Sequence, residues 1–219
     1  MRLFGKLALA FGAVALMAAP ALAQPPRGGG GGMFGGGGGM LLTNKSVQTE
    51  IKATADQVSK LTTFAEEFNT KQREARATLK DLSQEERQTK MREMMTKSQA
   101  EMDKALAEIL KPEQVKRFHE IQVQTAGAMG ITMGRVGEKL KLTDDQKTKI
   151  QDINREAFQA LGDLRQAMQD DREGTMKKIA VVRKETLGKV LEVLTAEQKT
   201  CYGALAGKPF EVKYEPRPN

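Results

Sequence analysis

A short phrase recurs four times in this chain of 219 residues, and it constrains the fold more than any other feature. The full form is Leu142-Thr143-x-x-Gln146 and Leu194-Thr195-x-x-Gln198. The degenerate copies are Ala53-Thr54-x-x-Gln57 and Leu110-Lys111-x-x-Gln114. Each copy reads as a helix start. A threonine hydroxyl accepts from the backbone N–H three residues on, and the glutamine reaches back to the N–H of the cap residue, which is the capping-box arrangement. Asp56, Asp144, Asp145 and Glu197 put negative charge in the first turn, where the helix dipole favours it. Lys111 has no acceptor to offer, and Pro112 compensates in part as a first-turn residue. Thr54 and Thr143 stand 89 positions apart, and Leu110 and Leu194 stand 84 apart. The chain therefore reads as a tandem duplication, each unit carrying one motif that opens a long helix and one that opens a shorter helix.

Between the motifs the apolar spacing is helical. Val58, Leu61, Ala65, Phe68, Gln72, Ala75, Leu79 and Leu82 step by three and four along one seam. A further capping box, Ser83 with Glu86, opens a second seam through Met91, Met95, Ser98, Met102, Ala105 and Ile109. The second half repeats the scheme with Gln146, Ile150, Ile153, Ala157, Leu161, Leu164 and Met168. Met176, Ile179, Val182 or Arg183, Thr186 or Leu187, Val190 and Leu194 follow, with breaks expected near 82–83 and 170–174. No stretch alternates as a strand would. A helix of about 25 residues is about 37 Å long and cannot bury such a stripe alone. The fold class is accordingly all-α: two tandem helical-hairpin units of long antiparallel amphipathic helices, coiled-coil-like in their spacing, behind a Gly-rich N-terminus expected to be disordered.

The ends read differently. Residues 1–23 have a basic start, an apolar middle and an Ala21-Leu22-Ala23 ending, the pattern of a signal peptide cut before Gln24. That makes the chain periplasmic or otherwise exported. No later run is apolar enough to span a bilayer. Residues 24–40 contain two runs of five glycines and read as a flexible tether. The first helical unit is placed at 41–126, a glycine-containing connector at 127–141, the second unit at 142–209 and a loose tail at 210–219.

The formal charge of +7 becomes +5 once Arg2 and Lys6 leave with the signal. The charges alternate in sign without a basic block, which marks solvated helix faces and argues against a nucleic-acid partner. Cys201 is alone, so no internal disulfide is available. His119 is the single histidine and lies in the stretch VKRFHEI with no catalytic motif around it. One histidine and one cysteine are too few for an ordinary zinc site. The sequence is read as non-enzymatic, with no catalytic, cofactor-binding or metal residues and no cofactor. Met91, Met94, Met95 and Met102 are the candidate client-binding residues, because methionine is flexible, polarizable and over-used on promiscuous surfaces. Packing within the seam is one alternative role for the same four, and Cu(I) binding through their thioethers is another.

An export signal, an all-helical chain and repeated Leu-Thr-x-x-Gln resemble the Spy/CpxP family of periplasmic LTxxQ-motif proteins. The resemblance covers roughly Lys52 to Pro209. Leu142, Thr143 and Gln146 and Leu194, Thr195 and Gln198 match the motif in full. Thr54 with Gln57 lacks the leucine, and Gln114 lacks the threonine. The family's members carry two motifs and form cradle-shaped dimers, so four motifs in one chain imply a fused pseudo-dimer, with a homodimer still open. The resemblance implies an ATP-independent, holdase-type chaperone or envelope-stress protein whose partners are unfolded proteins. The other reading is a regulatory or structural helical protein that binds one specific partner or a metal ion.

Overall fold

The structure, a computed structural model, describes residues 37–166 and 171–214. Among these residues the chain is all-helical. Nine helices follow one another: α1 (Gly37–Leu42), α2 (Lys45–Glu50), α3 (Ala55–Ala77), α4 (Gln84–Ile109), α5 (Pro112–Gly130), α6 (Gly134–Leu140), α7 (Asp144–Gln166), α8 (Arg172–Val193) and α9 (Ala196–Ala206). The signal segment and most of the glycine-rich stretch lie outside the described residues, as do Met168 and the tip between α7 and α8.

Two long hairpins, α3–α4 and α7–α8, carry the architecture. Each has one hydrophobic cluster near its motif-bearing end. The first gathers Leu42, Val47 and Ile51 against Leu61, Phe68, Leu106 and Phe118. The second gathers Ile131, Val136 and Leu140 against Ile150, Val190 and Tyr202. These sets correspond position by position. Leu42 and Ile131, Val47 and Val136, Ile51 and Leu140, and Leu61 and Ile150 all stand 89 residues apart, and each is buried. Even the backbone repeats: Lys52 and Lys141 both have positive φ, 54° and 47°. The helices α5 and α9 pack against each other and join the two repeats.

The repeat boundaries therefore differ from the sequence reading. Residues 127–141 are not a connector. They supply Ala128, Ile131, Val136 and Leu140 to the second cluster. Glycines suggested a link, but all four sit within α5 and α6, and the turn is made where α5 kinks at Gly127 (φ 55°, ψ −142°). The end of the presumed tether is also structured. α1 takes in residues 37–40 because Gly39 lies against Asn69, so close that a Cβ would approach the amide oxygen to 2.7 Å. The tail is held through Lys213 by α2 and α5. Asn44 donates to Lys213 O at 2.8 Å, and Gln124 accepts from Phe210 N at 2.8 Å. Phe210 and Val212 pack on the first cluster. Residues 215–219 lie outside the described residues.

Gly127 occupies a backbone region that side-chain-bearing residues avoid, although a Cβ there would meet nothing within 4 Å. Gly127→Ala should destabilise the protein by about 1–3 kcal/mol. Gly162, inside α7 and with equally open surroundings, supplies the opposite sign: Gly162→Ala should stabilise by about 0.5–1 kcal/mol. Urea unfolding midpoints of the two variants check both.

Candidate functional site

The four repeated glutamines do not act singly. They meet in two reciprocal pairs, one in each repeat. Gln57 Nε2 donates to Gln114 Oε1 at 2.8 Å, and Gln114 Nε2 returns a bond to Gln57 Oε1 at 3.1 Å. In the second repeat Gln146 Nε2 donates to Gln198 Oε1 at 2.7 Å and receives from Gln198 Nε2 at 3.0 Å. Each carboxamide also works locally. Its oxygen accepts the N–H of its own cap residue: Thr54, Lys111, Thr143 or Thr195, at 2.9–3.1 Å. Its NH2 donates to the chain leading into the partner helix. Gln57 reaches Ile109 O, Gln146 reaches Val193 O, Gln198 reaches Leu140 O, and Gln114 reaches both Ile51 O and Lys52 O.

Only a carboxamide satisfies this set, because it offers an acceptor with two lone pairs and two donors on one side chain. A glutamate keeps the cap acceptor, loses both donors and brings a charge. The threonine half of the box is present at Thr54, Thr143 and Thr195, whose hydroxyls accept from Gln57, Gln146 and Gln198 N–H at 3.2–3.3 Å. Leu142 and Leu194 are buried beside their caps. At Lys111 no side-chain acceptor exists, and the reach-back from Gln114 stands alone.

Gln114 is buried, so Gln114→Glu should cost about 2–4 kcal/mol, more than the neutral Gln57→Ala at about 1–3 kcal/mol. A Gln57→Ala, Gln114→Ala double variant should cost less than the sum of the two single changes. Lys111→Thr should complete the missing box and stabilise by about 1 kcal/mol. Chemical denaturation checks all of them.

The methionine cluster is divided by the fold. Met91 and Met95 are exposed on α4, Met94 is half-buried, and Met102 is in the first core cluster. Among the described residues, α4 packs on α3 along the hairpin and on α5 near its C-terminal end, where Met102 is buried. α3 and α4 are also joined by polar contacts, Lys71 to Glu101 at 2.7 Å and Gln72 to Ser98. The second hairpin exposes further large apolar side chains: Phe158 at 46 % on α7, with Met176 at 50 % and Val181 at 54 % on α8. Sequence reasoning put Met176 on the seam. The structure buries Thr175 instead and turns Met176 out. The signal for Phe158 was in the repeat, since its counterpart 89 residues earlier is Asn69. Lys178, Arg183 and Lys184 are exposed on α8 among these apolar groups.

Beside the second glutamine pair lies an open groove of about 510 Å³, lined by Ile153 and Val193 together with Asp145, Lys149, Lys189 and Glu192. In the first repeat the place of Ile153 is taken by Phe64, which packs on the core and stacks near Phe68 at 5.5 Å. Arg117 is the main charged hub elsewhere. It pairs with Glu50 at 2.8 Å and Glu120 at 2.7 Å, donates to Lys208 O, and lies 5.9 Å over the Phe210 ring. Cys201 is a half-buried free thiol in α9. Among the described residues, no helix is long and apolar enough to cross a membrane.

Residues 128–202 match the family described as Domain of unknown function (DUF4890). That stretch is less than half of the chain, and it runs from the first buried residue of the second cluster, Ala128, to the last, Tyr202. No curated protein matches the chain, and no solved structure does.

Proposed function

We propose that the protein is an exported, ATP-independent, holdase-type chaperone or envelope-stress protein of the Spy/CpxP-like kind, acting in the periplasm on unfolded proteins. The carrying observation is the set of exposed apolar side chains on the two hairpins, Met91, Met95, Phe158, Met176 and Val181. Met91 and Met95 lie one turn apart on α4, and Met176 and Val181 share α8 with exposed Lys178, Arg183 and Lys184, so helix faces mix apolar and cationic groups. Lys178, Arg183 and Lys184 add attraction for acidic chains, and methionine adapts to varied partners. In this reading the two repeats stand in for two subunits of the resembling family, and the glutamine pairs hold each hairpin open at a fixed angle. Met102 has no place in client binding, since it fills the core.

A single-partner reading is favoured by one feature, the groove beside Gln146 with its mixed charged rim. Binding there would saturate and would not be displaced by unrelated unfolded proteins.

Light scattering of a chemically unfolded, unrelated client diluted into buffer without nucleotide separates the two. Suppression near equimolar chaperone is expected. A variant with Met91, Met95, Met176 and Val181 all changed to serine should need several-fold more protein for the same effect, with helicity by circular dichroism unchanged. Full aggregation at several-fold excess of the wild-type chain would refute the holdase reading.

A further inference from the structure

We propose that His119, Asp103 and Arg135 form an acid-sensitive latch between the two repeats. His119 Nε2 lies 3.1 Å from Asp103 Oδ1, and the Arg135 guanidinium lies 2.7 Å from Asp103 Oδ2. The three residues come from α5, α4 and α6. One carboxylate therefore ties the hairpin of the first repeat to the helix that opens the second. The positions 84 residues beyond Asp103 and His119 are Leu187 and Gly203. The latch is thus an addition to an architecture whose apolar packing is otherwise repeated.

The chemistry of the cluster depends on the proton at His119. A neutral ring donates Nε2–H to Asp103 and leaves the full carboxylate charge to Arg135. A protonated ring is a second cation, and the one negative charge is then shared. The imidazole side chain is 19 % exposed and Arg135 is 35 % exposed. Arg135 is the cation that water can better accommodate, so acid releases Arg135 and with it the charged anchor of α6. That helix holds Val136 and Leu140 in the second cluster, and its loosening exposes them.

The electrostatic setting gives the sign. Burial and the Arg135 guanidinium hold His119 below its ordinary 6.5, against the opposing pull of Asp103. Asp103 from α4 and Arg135 from α6 are the charged groups that act on the ring. α1, which also packs on α5, has no titratable side chain, and the lysines and glutamates of α8 and α9, the other helices on α5, are not among the groups that shift the ring. The folded chain therefore binds fewer protons here than the unfolded chain. The latch's contribution is complete above pH 6.5 and is lost as pH falls through the lower folded midpoint.

The test uses the full chain, whose single histidine gives one assignable imidazole Cε1–H resonance. Its titration is followed by NMR alongside amide exchange of α6, corrected for the intrinsic pH dependence. A wild-type midpoint below 6.5 is expected. Exchange in α6 should rise about threefold or more across that midpoint. His119→Gln keeps a donor for Asp103 without a titrating group, and its α6 exchange should stay flat. Arg135→Gln should raise the His119 midpoint and leave α6 loose at both ends of the range. A wild-type midpoint at or above 6.5, or the same acid-driven opening in His119→Gln, would overturn the proposal. Should His119→Gln fail to fold, the wild type decides alone. Opening of α6 that does not track the titration of the His119 resonance also overturns it.

Discussion

Each hairpin of this protein depends on one side-chain pair. A long helix that turns back on itself brings two helix starts, with their unsatisfied N–H groups, close to two helix ends with unsatisfied C=O groups. Gln57 with Gln114, and Gln146 with Gln198, join these orphans in a single network. The N–H of each cap residue, a carbonyl from the chain before the partner helix and the facing carboxamide are all satisfied at once. Such a network is costly when incomplete and specifying when complete. It fixes where the second helix start sits relative to the first, and hence how the hairpin leaves its base.

That base lets the rest of each hairpin do without a thick core. Near the glutamine pairs the clusters are fully buried, with Leu61, Leu106, Phe118, Ile150 and Val190 at 0 % exposure. Toward the tips, among the described residues, the two helices of each hairpin pack mainly on each other. Apolar residues there remain in water, and polar bonds such as Gln72 to Ser98 replace packing. The same thin construction leaves Met91, Met95, Met176 and Val181 exposed. The two hairpins are not equivalent in this respect. The first has Phe64 and Phe68 where the second has Ile153 and Ala157, and Ile153 lines the groove beside Gln146.

The all-helical class, the duplication and the three threonine caps were legible because each rests on local chemistry. A capping box needs residues three apart, and an apolar seam needs only the helical period. Hairpin register was less legible. Met176 and Thr175 are adjacent, either can continue a seam with Ile179, and only the packing of α8 on α7 buries Thr175. The glycines between the halves were misleading for a related reason. Composition suggested a linker, whereas Gly127 makes one turn and Ile131, Val136 and Leu140 around the others are core.

The sequence by itself determined that this chain makes capped, amphipathic helices twice over, since helix starts and apolar periods are properties of neighbouring residues. Tertiary structure decided what the glutamines are for. Their partners lie 57 and 52 positions away, and no local pattern says which helix start will meet which. It likewise decided which methionines face water and which tail residues are pinned by Arg117 and Gln124. Burial and long-range hydrogen bonding are set by what folds back over a residue, and that information is spread across the whole chain.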